Sequence, residues 1–149
     1  MKIHDLIAAV AERLRLTSDL AGRTILEENK GDISAALQAA VGKSNFAITV
    51  GWNGFEPSVQ TPTGAAFPSA EIVGKTTVVV SVFEKPVLNR RTAGSLAALD
   101  AAAIIAKALA CWKAPGMNSP LFFQRIPPLY ELSGGAIGCD VEFKTTVSL

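Results

Sequence analysis

The sequence predicts an α+β fold, a mainly antiparallel sheet with helices packed on one face. Two switches of hydrophobic period carry that expectation: helical to strand-like near Phe46, and back to helical near Ser95. A third observation agrees with them. The closing segment, Ala136–Val147, returns to strict alternation of apolar and polar residues. The 149 residues suit a single α+β domain spanning 1–149, with no internal repeat and no interdomain linker.

The elements follow in order. Ile3, Leu6, Ile7, Val10 and Leu14 form one helical stripe, with Glu12, Arg13 and Arg15 on the other side. Thr17, Ser18 and Asp19 favour caps and turns, so the helix should stop near Leu16. A shorter helix is expected over Ile33–Val41, with Asp32 as N-cap and Gly42 as the terminating glycine. Phe46, Ile48, Val50 and Trp52 then alternate with Ala47, Thr49 and Gly51 as a half-buried strand. Asn53-Gly54 reads as a turn, and Gly54–Ser69, rich in Pro, Gly, Thr and Ser, as a long loop.

Glu71–Phe83 is the strongest strand signal, because Thr76–Phe83 is almost wholly β-branched or aromatic. Val78, Val80 and Val82 should share one face. Glu84–Arg91 reads as a polar connector. A helix is expected over Ser95–Trp112, with Leu96, Leu99, Ala103, Ala106, Leu109 or Ala110, and Trp112 or Lys113 on its packed side and Pro115-Gly116 beyond its end. Leu121–Phe123 is a short apolar strand. Tyr130–Leu132 and Ala136–Val147 flank the hairpin turn Ser133-Gly134-Gly135. In the last strand Cys139, Val141, Phe143, Thr145 and Val147 face the core, while Asp140, Glu142, Lys144 and Thr146 face water.

Composition excludes several functions. Apolar residues make up 49% and charged residues 18%, a globular balance. A net charge of +1 gives no general attraction to nucleic acid or to anionic membrane. No secretory leader is expected, since Asp5 and Glu12 interrupt the first apolar stretch. No membrane span is expected either: Leu96–Trp112 contains Asp100 and Lys107 and is shorter than the roughly 20 residues a span needs.

The residues of chemistry are sparse. His4 is the sole histidine, on the first turn of the first helix, and is expected at the surface. Cys111 and Cys139 match no zinc spacing and no CxxC motif, and read as two buried thiols. Glu27-Glu28 and Asp140/Glu142 are the close acidic pairs, read as solvated faces. Gly134-Gly135-Ala136-Ile137-Gly138 opens a strand and so presents no helix N-terminus to a phosphate. Neither a phosphate loop nor a nucleophile elbow is present. No enzyme activity, catalytic residue, cofactor or metal is therefore expected. The connector Lys85–Arg91 carries the cations Lys85, Arg90 and Arg91; it reads either as an ordinary solvated loop or as a subunit contact, for which the arginines suit bidentate pairing with carboxylates across a protein interface. Asn89, in the same connector, joins them as a candidate contact. Phe55 and Phe67, amid the Gly54–Ser69 segment, have two readings: they tuck under the segment as a satellite core, or they anchor a partner.

The order of elements, with "TTVVVSVFEKPVLNRR" and the closing "GCDVEFKTTVSL", resembles the tail-terminator (tail-completion) proteins of long-tailed bacteriophages. The segment Asp32–Val41 and the Pro-rich run before Leu129 are additions to that pattern. The resemblance implies a structural, non-catalytic subunit of a homo-oligomeric ring, a hexamer in that family. Such a ring caps the tail tube, stops its growth and joins it to the head-completion proteins. It also implies a place in the virion tail, assembled in the host bacterial cytoplasm, with no membrane and no specific nucleic acid as partner. Two other readings stay open: a small-molecule-binding or enzymatic α+β domain, and a generic interaction module.

Overall fold

The computed structural model describes residues 1–28, 33–63 and 69–149. Its elements are α1 (Ile3–Arg15), β1 (Ile25–Glu27), α2 (Ile33–Ser44), β2 (Phe46–Thr63), β3 (Ser69–Glu84), α3 (Pro86–Asn89), α4 (Ala98–Leu109), β4 (Phe122–Arg125), β5 (Tyr130–Glu131) and β6 (Ile137–Ser148). The fold is α+β, built on one six-stranded mixed sheet of order β1-β2-β3-β6-β4, with β5 also paired to β6. The β1–β2 pair is parallel and the remaining pairs are antiparallel.

The apolar stripe of α1 buries Leu6, Ile7, Val10, Ala11 and Leu14. The chain leaves the helix at Leu16, as its turn-forming neighbours predict. Val78, Val80 and Val82 of β3 and Cys139, Val141 and Phe143 of β6 meet α1 and α4 in one core, all fully buried. Removing a side chain of this size from water contributes about 1.5–3 kcal/mol.

The helices divide between the two faces. α1 and α4 cover one face, as expected. α2 packs against β1 and β2, and its Leu37 and Val41 line a hollow with Phe83, Leu132 and Ala136. Phe83 projects opposite to Val82, so α2 lies on the far face. Ala47, Thr49 and Phe83 leave apolar atoms there that need cover. α2 also runs past Gly42 to Ser44. It ends at Asn45, whose φ of 58° is the left-handed cap that Asn tolerates. Asp32, the expected N-cap, lies outside the described residues.

The largest correction concerns Gly54–Ser69. Asn53-Gly54 is not a turn, and the following segment is not a loop up to Thr63. β2 continues to Thr63 and pairs with β3 out to Thr63↔Ser69. Gly54 instead absorbs an extra residue between Asn53 and Phe55, a bulge. Its φ of +74° suits glycine, and Thr76 donates from Oγ1 to the Gly54 carbonyl at 2.7 Å.

α4 is shorter than expected and turned about its axis. Its buried side is Ala98, Ala101, Ala102, Ile105 and Leu109; Leu99 is 55% exposed and Ala103 is exposed. In a run of alanines the helical phase is set by one or two large residues, and Ile105 outweighs Leu99. Cys111 falls beyond the helix with φ 59° and is exposed, against the expectation of two buried thiols; Cys139 is buried.

Candidate subunit interface

The connector is held from inside. Glu84 ends β3 with its side chain fully buried. It accepts from Asn89 Nδ2 at 2.6 Å, from the backbone N–H of Ala98 at 3.2 Å and from Arg90 Nη2 at 3.4 Å. Asn89 Nδ2 also donates to the Leu96 carbonyl at 3.0 Å. One carboxylate thus binds the short helix α3 to the first turn of α4, whose free N–H groups favour a negative charge.

This arrangement separates the candidate residues of the connector. Asn89 is buried and spent on internal bonds, so it is a staple of the subunit and not a contact for a partner. Arg90 reaches back to Glu84 while remaining largely exposed. Arg91 is exposed and Lys85 half-buried beside the α2 hollow. Val87 and Leu88 are exposed on α3, which Pro86 opens at a first-turn position where its missing N–H costs nothing. Phe55 is half-buried in β2, against the core and over Gly74 of the neighbouring strand. Phe67 lies outside the described residues.

The far face of the sheet carries the polar side chains of β6. Tyr130 covers Gly138, where any larger residue would collide with its ring. Its hydroxyl donates to Asp140 Oδ1 at 2.9 Å. Burial, then the bond to Asp140, push the Tyr130 pKa up, so the phenol keeps its proton. Burial, then the charge of Asp140, also raise the Cys139 thiol. Glu142 is bound by Arg125 Nε at 2.7 Å. The acidic pair Asp140 and Glu142 therefore shares a face, but each acid has its own partner.

The other acidic pair splits. Glu27 turns toward α1 and binds Arg15 Nη2 at 3.1 Å. Glu28 lays its carboxylate over Gly51 on the far face. Burial, then the charge of Asp140, raise the Glu28 pKa. His4 is exposed beside Asp5, 3.0 Å away, as its position predicts. Among the described residues no three His, Cys, Asp or Glu side chains are grouped to hold a metal. Among them, too, no helix is long and apolar enough to cross a membrane.

Sequence reading missed the two aromatic edges. Phe122 is 50% exposed and Phe123 43% exposed on β4, and Trp52 is 43% exposed at the other side of the sheet. It also missed Glu84. The available signal was an acid closing the β-branched run Thr76–Phe83 just before Lys85-Pro86.

No family model matches the chain, and no curated protein matches it. In fold it is similar to a chain of a solved structure described as the virion of the native gene transfer agent particle. That likeness covers 97% of this chain and 95% of that one, at 18% identity and a TM-score of 0.54. The chain therefore shares its overall fold with that chain.

Proposed function

We propose that this chain is a non-enzymatic structural subunit of a phage-like particle. Its finer role is that of a ring-forming tail-terminator subunit, which caps the tail tube and joins it to the head. The observation that carries this reading is the fold shared from end to end with a chain of a gene transfer agent virion. The element order read from the sequence supports the tail-terminator role. A ring subunit needs unlike surfaces that meet by rotation. The exposed Arg90 and Arg91, the half-buried Lys85, the apolar Val87 and Leu88 beside them, and Phe55 of β2 are candidate contacts, with Phe67 a candidate on sequence alone. The localisation that follows is the particle itself, at the tail end.

Light scattering of the purified protein, followed by negative-stain microscopy with isolated tail tubes, tests the reading. The expected result is a closed ring that seats on tube ends and halts their growth. A monomer at high micromolar concentration that leaves the tubes unchanged would overturn it.

A further inference from the structure

The far face of the sheet keeps a hollow beside α2. Ser34 and Gly42 are too small to fill the space between α2 and the turn from β5 to β6, and about 390 Å³ is left there. Leu37, Val41, Phe83, Leu132 and Ala136 make its described walls apolar. Lys85 joins them, half-buried, as the single charged residue of the described lining. Glu131, next to Leu132 in the chain, pairs with Ile137, whose side chain packs against the core, so Glu131 points to the other face. Among the described residues Lys85 has no acidic partner. A half-buried ammonium beside apolar walls favours a carboxylate next to it. The hollow therefore suits a large apolar side chain that carries an acid at its side.

The chain itself presents such a pair. Of the large apolar side chains exposed among the described residues, Leu99 and Leu132 alone have an acid next to them in the chain. Leu132 is part of the hollow. Leu99 is 55% exposed on the first turn of α4. Asp100 beside it is exposed and in no ion pair among the described residues. Ala103, one turn on, is exposed too, so Leu99 and Ala103 form a short apolar ridge flanked by the acid. Other exposed apolar groups stand among cations: Val87 and Leu88 lie between Lys85 and Arg90, and Leu16 follows Arg15.

The two surfaces cannot meet within one subunit. α4 covers one face of the sheet, and the hollow lies on the other. Between copies they make a contact of unlike patches. Such a contact repeats head to tail and closes into a ring when the rotation allows.

We propose that the hollow beside α2 receives α4 of a second copy, with Leu99 seated among Leu37, Phe83 and Leu132 and with Asp100 against Lys85. The inference rests on the ring reading and names its contact. A helix ridge in an apolar groove supplies the adhesion. The charge pair sets the orientation and rejects neighbours of the wrong sign.

Light scattering over a concentration series tests the contact. Leu99→Ser is a surface change in the single subunit, so its effect on association separates from folding; it should weaken association at least about tenfold. Asp100→Lys and Lys85→Glu should each weaken it as well. An equal mixture of those two variants should regain it, because every contact in the mixed assembly can again join a cation to an acid. Failure of the mixture to recover overturns the pairing of Asp100 with Lys85. In a Cys111→Ser background, Leu99→Cys and Leu37→Cys are made as separate proteins, mixed and oxidised. A disulfide-linked dimer is expected in the mixture and in neither protein alone. Cross-linking of one variant with itself overturns the head-to-tail arrangement. Undiminished association of Leu99→Ser, with no cross-link in the mixture, overturns this contact and leaves the ring reading standing. A parent protein that stays monomeric at high micromolar concentration overturns both.

Discussion

Glu84 and Ala98 lie fourteen positions apart in the chain, yet the buried Glu84 carboxylate accepts the Ala98 N–H at 3.2 Å. That bond, with those from Asn89 and Arg90, decides how the best strand hands over to α4. Replacing Glu84 by Ala leaves Asn89 and the Ala98 N–H without their acceptor in a dry site. A loss of about 2–4 kcal/mol is expected. Asn89→Ala should cost about 1–3 kcal/mol, and the double variant less than the sum, because both changes break one network. Urea denaturation of the three variants checks it; strictly additive losses would show that the two residues act separately.

The far face carries a pH signature. Glu28 has an ordinary pKa of 4.5, and burial with the nearby Asp140 raises it in the folded state. Above pH 4.5 the folded protein then holds this proton more tightly than the unfolded chain does. Stability from this group therefore falls as pH rises from 4.5 through the folded pKa, and is flat beyond. Glu28→Gln should remove that fall and leave the variant at least as stable as the parent at neutral pH. Denaturant midpoints measured from pH 4 upward test the sign, and a variant with the parent's slope in that window would refute the assignment.

The orientation of α4 gives a contrast inside one helix. Ile105 is fully buried and Leu99 is mostly exposed. Ile105→Ala should cost about 2–5 kcal/mol by opening a cavity in the core. Leu99→Ser should change stability by no more than about 0.5 kcal/mol, as expected of a surface site. Thermal melts of the pair decide it, and a larger loss at Leu99 would mean that the helix is turned the other way.

These positions also mark where the sequence stops being legible. The faces of β3 and β6 could be read directly, since Val78, Val80 and Val82 alternate without interruption. The same logic held in β2 from Phe46 to Trp52 and failed beyond it. There glycine and proline break the local pattern, and pairing to the whole length of β3 keeps the strand extended. The alanines of α4 concealed its phase for a related reason: a small side chain fits equally well in the core or in water.

The candidate interface divides in the same way. The exposed cations Arg90 and Arg91 were visible in the connector, but Asn89 was grouped with them until its side chain was placed under Glu84. The alignment of Trp52 with Phe123, and of Gly51 with Arg125, depends on ladders between residues distant in the chain. Local sequence determined the α+β class, the first helix and the alternating core strands, because hydrophobic period is a short-range property. Tertiary structure alone decided the length of the hairpin, the buried staple at Glu84 and the placing of Trp52 and Phe123 in one row of the sheet, because each depends on which strands come to lie side by side.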